Sequence, residues 1–258
     1  MLNAVSRQTL KQLMPAGLLA TKSWLVAQGL NPHFIDNAVK TKTLIALCPG
    51  VYTREEMLVN WKGIVTSLQR MAGHPIHVGG LSALDQEGLA HYPSRGQRVA
   101  INLYAETALP AWLNKIDSHL HFAWHSTRRL WPASLMQEEQ FLREDHWRES
   151  LPPLHYSTPE KAILEVLMDI PRTMSFEHAD QLMQGLSNFS PKKMDALLRA
   201  SSSIKSKRLF LSLAQRHNHA WFKYLKPDEY ELGTGKREIE RGGRLDKTWN
   251  ITVPKEWN

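Results

Sequence analysis

An Asn-Pro pair at 31–32, set between a glycine and an amphipathic run, constrains the local structure of this chain more than any other feature. Asn31 can cap a helix by accepting a hydrogen bond from a free backbone N–H, and Pro32 suits the first helical position, where no donor is needed. Phe34, Ile35, Ala38 and Val39 then share one face at helical spacing. His33, Asp36, Asn37, Lys40 and Thr41 share the other, with Lys42 just past the end. Upstream, Thr21 can cap a helix over 22–28, and Gly29 supplies the sharp turn between the two helices. Downstream, residues 44–47 and 51–53 alternate as two short strands about the turn Cys48-Pro49-Gly50. Helix, turn, recognition helix and hairpin, over residues 16–54, are the parts of a winged helix-turn-helix.

The rest of the chain is long enough for a second unit. At 258 residues the expectation is two domains, 1–72 and 73–258. With 42% hydrophobic residues and nine Trp, the larger one can bury a sizeable core. The fold class expected is α+β: an N-terminal winged helix-turn-helix followed by a larger mixed α/β domain. A formal charge of +7 favours an anionic partner. Apolar runs such as 162–168 are far too short to span a bilayer, and residues 1–13 lack a signal-peptide core. The single Cys48 excludes an internal disulfide and suits a reducing cytoplasm.

In order, residues 6–13 read as a first helix ended by Pro15. Thr53 and Glu56 read as a capping box opening a helix over 54–71, with Met57, Trp61, Ile64, Val65 and Leu68 buried. Strands are expected at 76–78, 99–105 and 120–124, with a helix at 81–87 between the first two. Helices follow over 159–168, from Ser190-Pro191 onward, and over 208–225, where Phe210, Leu213, Ala214, His217 and Trp221 share a face. A strand at 249–253 closes the chain. Trp112, Trp124, Trp131 and Trp147 read as core residues.

Catalytic patterns are incomplete wherever they begin. Restriction-type nucleases need a carboxylate with a lysine two residues on, and no lysine here follows Asp or Glu at that spacing. Gly233-Thr234-Gly235-Lys236 suggests a phosphate loop, but Tyr230 stands where the first glycine belongs and Arg237 where Ser or Thr belongs. That segment reads better as a turn with a solvated charge run. His119 and His121 on a strand would point the same way, yet no third metal ligand lies nearby. His217 and His219 on a helix would point apart. Neither a hydrolase motif nor a cofactor or metal site emerges, and no enzymatic activity is expected.

The segment 17–52, together with HVGGLSALDQEGLAHY, STPEKAILEVL, IKSKRLFLSLAQRH and the ending LGTGKREIERGGRLDKTWNITVP, resembles the AbiEi antitoxins of type IV toxin–antitoxin systems. The match spans nearly the whole chain, and the GGRLDKTWNITVP ending is its most specific part. The resemblance implies a bacterial autorepressor whose winged domain binds inverted repeats in double-stranded DNA of its own promoter. It also implies neutralisation, by the larger domain, of a co-encoded nucleotidyltransferase-like toxin, in general without a stable complex, as part of abortive infection against phage. DNA contact is assigned to the matching segment: Thr21, Lys22, Asn31, His33, Asn37, Lys40, Thr41, Lys42, Tyr52 and Arg54. Lysine and arginine would neutralise phosphates, and Asn37 and His33 would read base edges. Lys236, Arg237, Arg241 and Arg244 form a hypothetical antitoxin surface. Two alternatives stand beside this reading: an interaction protein that grips its toxin or another partner directly, and a plain winged-helix regulator with no toxin.

Overall fold

The computed structural model describes residues 4–54, 59–90, 99–117 and 119–257. Helix α1 (Ala4–Leu13) leads into a short strand β1 (Leu19–Thr21). Thr21 then caps α2 (Lys22–Ala27), its hydroxyl accepting from the Trp24 N–H at 3.2 Å. Gly29 makes the turn at φ +90, a left-handed backbone that favours glycine. The side chain of Asn31 accepts from the His33 N–H at 2.8 Å and opens α3 (Pro32–Lys40), as its sequence demands. Strands β2 (Ile45–Cys48) and β3 (Val51–Thr53) form the hairpin, and β1 adds to β3 to give a three-stranded sheet in the order β1-β3-β2. The strand β1 was not expected; at three residues it is too short to show an alternation.

This unit has its own core. Leu10 and Met14 of the α1 end pack with Leu25, Leu30, Ile35, Ala38 and Leu44, all almost fully buried. The apolar face of α3 is therefore turned inward, and its polar face is left outside.

The next helix corrects the expectation. α4 (Trp61–Met71) starts at Asn60, whose side chain accepts from the Gly63 N–H at 2.8 Å. Thr53 does not cap it: its hydroxyl donates to the Leu18 carbonyl at 3.3 Å within the sheet. Glu56 and Met57 lie outside the described residues. Ile64, Val65 and Leu68 are buried as expected, but in the core of the larger unit. Helix α4 is also the seat of the winged unit. Ser67 accepts from the Leu19 N–H at 2.9 Å, and the Arg70 guanidinium donates to the Leu13 carbonyl at 2.6 Å.

The larger unit is built on a five-stranded sheet of β4 (Ile76–Val78), β5 (Val99–Ala105), β6 (Leu120–Ser126), β7 (Leu142–Asp145) and β8 (Leu154–Ser157). Their order is β6-β5-β4-β8-β7, with β5–β6 and β4–β8 parallel and the other two pairs antiparallel. Helix α5 (Gly80–Gln86) follows β4, and α6 (Pro159–Leu167) follows β8 and is buried on every side. Around α6 pack α7 (Phe176–Gly185), α8 (Pro191–Ala200) and α9 (Ile204–Arg216). A two-stranded ribbon of β9 (Arg244–Asp246) and β10 (Ile251–Val253) closes the fold. Helix α9 ends at Arg216, well short of the end expected at 225, because Asn218 takes a left-handed φ of +49 just beyond its cap. Trp221 thus reaches the core from a separate turn, stacking on Phe210 at 5.5 Å. Trp131 is buried and Trp112 and Trp147 pack on the core, but Trp124 is 44% exposed, against expectation.

At the seam, a Cβ on Gly63 would stand 2.2 Å from the Gly17 carbonyl oxygen. Glycine is what lets α4 approach the loop before β1. Gly63→Ala should destabilise by about 1–3 kcal/mol despite a better helix propensity, because backbone has to move. Gly73→Ala, whose Cβ would meet nothing within 4 Å, should leave the melting temperature unchanged. Thermal denaturation followed by circular dichroism checks both.

Candidate nucleic-acid interface

Helix α3 presents His33, Asn37, Lys40, Thr41 and Lys42 to solvent. Among the described residues, the side chains of His33, Asn37, Lys40 and Lys42 form no hydrogen bond, so amide, imidazole and two ammonium groups stand free. Lys42 sits just past the helix at φ +57. The Thr41 hydroxyl donates to the Ala38 carbonyl at 3.3 Å and meets the Thr43 hydroxyl at 3.1 Å.

The other sequence candidates are engaged or inward. Thr21 and Asn31 spend their side-chain acceptors on helix caps. The Lys22 ammonium is hydrogen-bonded to the Asp36 carboxylate across α2 and α3. That bond holds the carboxyl below its usual range and the ammonium above it. Its effect is to cancel the acid on the outer face of α3. Tyr52 faces the opposite way: only 9% exposed, it packs in the small core because β3 is the central strand of its sheet, and it cannot contact a duplex. Arg54 is half-buried where β3 ends. The wing is a tight turn with Gly50 at φ +77, pinned by the Lys22 N–H donating to the Gly50 carbonyl at 2.8 Å. Cys48 within it is half-buried, and burial pushes its thiol up.

Lys236, Arg237, Arg241 and Arg244 are exposed on the closing loop and ribbon of the larger unit. The Arg244 guanidinium is occupied by the Trp257 carbonyl. Within this loop, the resemblance to a phosphate cradle fails on geometry. The buried Arg208 guanidinium donates to the carbonyls of Leu232, Gly233, Gly235 and Asn250 at 2.7–3.0 Å. The loop turns its carbonyls inward on a cation, whereas a phosphate needs inward N–H groups.

A buried polar cluster lies at the base of the sheet and was not anticipated. Glu165, fully buried on α6, accepts from His77 at 2.8 Å, the Gly80 N–H at 2.9 Å, Trp131 at 3.2 Å and Ser157 at 2.9 Å. Burial raises its carboxyl, but His77, Lys161 and the Gly80 N–H outweigh burial and leave it lowered. Burial and the Lys161 charge lower His77. Serine, histidine and carboxylate are together here, but both others bond to the carboxylate, so no base reaches the hydroxyl as a nucleophile requires. The cluster is a strut. Among the described residues, no group of three or more His, Cys, Asp or Glu could hold a metal ion. His217 pairs with Asp180 at 2.7 Å, and His219 bonds the Met183 carbonyl. Within the same residues, no helix is long and apolar enough to cross a membrane.

A winged helix-turn-helix with a free cationic recognition face, set on a larger α+β body, defines a two-part protein of the transcriptional-regulator class. Residues 3–94 match the family described as the transcriptional regulator, AbiEi antitoxin N-terminal domain, and residues 96–254 match the transcriptional regulator, AbiEi antitoxin, type IV TA system. The chain belongs to this family of antitoxin regulators, which is not a known enzyme class. The crystal structure of the RV2827C protein from Mycobacterium tuberculosis aligns with a TM-score of 0.50 at 14% identity, over 96% of this chain and 89% of that one; the likeness is of fold alone. No curated protein matches the sequence.

Lys161, one turn before Glu165, is also fully buried, and among the described residues its ammonium has no hydrogen-bond partner. Burial lowers it from 10.5 to about 8. Below pH 8 both native and unfolded chains hold that proton, and the cost of burying the charge is fully present. Between pH 8 and 10.5 the native chain releases it first, so this residue's contribution to stability rises with pH. Lys161→Met should raise the melting temperature at pH 7 and flatten the wild-type rise above pH 8. A variant less stable than wild type at pH 7 would contradict this account.

Proposed function

We propose that the chain is an autorepressor of its own operon and the antitoxin to a co-encoded nucleotidyltransferase-like toxin, acting in the bacterial cytoplasm in defence against phage. The winged unit binds inverted promoter repeats with α3 in the major groove. Lys40 and Lys42 neutralise phosphates, while Asn37 and His33 read base edges, asparagine suiting adenine. Lys22, Thr21 and Asn31 support the helix that does so, and Arg54 flanks it. The observation that carries this reading is the solvent-facing side of α3, where the sole acid is cancelled by Lys22 and the cations are free. One winged unit reads a short half-site, so a palindromic operator takes two copies. The larger unit carries antitoxicity, with Lys236, Arg237 and Arg241 as its exposed basic surface.

Replacing Lys40 and Lys42 with Glu should abolish retardation of operator DNA in a gel while toxin neutralisation persists in cells. Replacing them with Ala should weaken binding and reduce the slope of log affinity against log salt by about 2, one for each phosphate left unneutralised. Normal retardation by the Glu variant would remove α3 from the interface. Recovery of a stable complex with the co-encoded protein in a pull-down would favour direct toxin binding instead.

A further inference from the structure

Strands β5 and β6 run parallel, and beyond their carboxyl ends at Ala105 and Ser126 opens a cleft of about 620 Å³. That volume is in the range of small-molecule sites, and the carboxyl ends of parallel strands are where open sheets take their ligands. Three guanidinium groups line it: Arg128 and Arg129 just after β6, and Arg172 beyond the end of α6. Arg128 approaches Glu106 at 3.5 Å, both largely exposed, and among the described residues Arg129 and Arg172 form no ion pair. Asp169 is the acid lining the cleft, and it stands 3.4 Å from the His125 ring. Grouping like charges in a recess is unfavourable until an anion enters, and it concentrates anions there.

The cleft also has an aromatic wall. Trp124 is 44% exposed, a costly position for an indole at the mouth of a polar recess. Its ring is held in place, since its N–H donates to the Ala105 carbonyl at 3.2 Å. Beside it, His125 stacks on Tyr104 at 4.6 Å and is tethered to Asn102 at 3.0 Å. A fixed, open aromatic face next to a trio of arginines matches a ligand with one flat ring and several negative oxygens.

We infer that this cleft binds a nucleotide, its base stacked on Trp124 and its phosphates held by Arg128, Arg129 and Arg172. The guanidinium fork matches phosphate oxygens in pairs, and an aromatic platform accepts any base. The phosphates lie on the arginine side, away from Asp169. The site is separate from the α3 face and does not depend on DNA binding.

Calorimetric titration of the full-length protein with ATP, sodium tripolyphosphate and adenosine tests this. ATP should bind with a Kd on the order of 10–100 µM, tripolyphosphate about tenfold more weakly, and adenosine weakest of the three. Trp124→Ala should weaken ATP about tenfold and leave tripolyphosphate unchanged. Arg129→Glu with Arg172→Glu should weaken both at least about tenfold, and Arg129→Gln with Arg172→Gln should do so if the first pair fails to fold. A 5′-triphosphorylated tetraribonucleotide separates the two sources of this chemistry. Tighter binding than ATP assigns the cleft to an RNA end, and weaker binding assigns it to the free nucleotide. Absence of ATP binding at about 1 mM, wild-type affinity in the arginine variants, or equal weakening of tripolyphosphate by Trp124→Ala would each overturn the proposal.

Discussion

Glu165 sits mid-helix on α6 with no exposure to solvent, and its two oxygens collect donors from four separate segments. His77 comes from β4, the Gly80 N–H from the start of α5, Ser157 from the end of β8 and Trp131 from the loop after β6. A carboxylate stripped of water is tolerable only when hydrogen bonds replace the lost hydration, and here they do. The requirement runs in both directions. Each donor is itself buried, so displacing any of these segments leaves unpaired polar atoms as well as a bare charge. A Cβ on Gly79 would stand 2.4 Å from a Glu165 oxygen, so the glycine pair at 79–80 is the space the carboxylate occupies. Sheet order, the start of α5 and the depth of α6 are thus fixed by one side chain.

The winged unit depends on that body through α4. Among the described residues its own core comprises ten buried side chains, small for a domain that must hold a helix in a defined orientation. Docking supplies what the core lacks: Ser67 and Arg70 bind the backbone on either side of β1, and the Arg148 guanidinium donates to the Ala16 carbonyl at 3.1 Å. Leu19 and Val51, two residues of the small sheet, are shared with the large core. Since β3 carries the wing and lies beside β1, these contacts set the direction in which α3 faces outward.

The local signals of the winged unit were legible because each is a short-range device. Asn31, Pro32, Gly29 and Thr21 act within four residues of themselves, and the structure uses all of them as their chemistry dictates. The start of α4 was misread for the opposite reason. Thr53 does have a capping side chain, but a partner thirty-five residues away, the Leu18 carbonyl, claims it. The same holds for Tyr52, whose polar tip suggested contact with DNA until strand order placed its ring in the core. In STPEKAILEVL the charged residues looked like the wet side of an amphipathic helix. Only the sheet and three flanking helices, all distant in sequence, show that α6 has no wet side. Trp124 failed in the reverse sense: period-two alternation puts it with Leu120 and Phe122, and burial holds at Phe122 but ends with the sheet at the cleft mouth.

What separates a reading helix from an ordinary polar one is how its charges are spent. Lys40 in the last turn of α3 would also favour the negative end of the helix dipole, so its position alone decides little. Lys42 is different. At φ +57 it holds a left-handed backbone that glycine or asparagine adopts more cheaply, at a cost of about 1–2 kcal/mol. A residue needed only to stop the helix would more economically be glycine. Its exposed ammonium forms no hydrogen bond to another described residue, so nothing within the described fold offsets that strain. Lys22, by contrast, is fully used inside the unit, tying α2 to α3 through Asp36. The division between a spent lysine beneath the helix and unspent ones along its outer edge is what supports assigning that edge to a polyanionic partner.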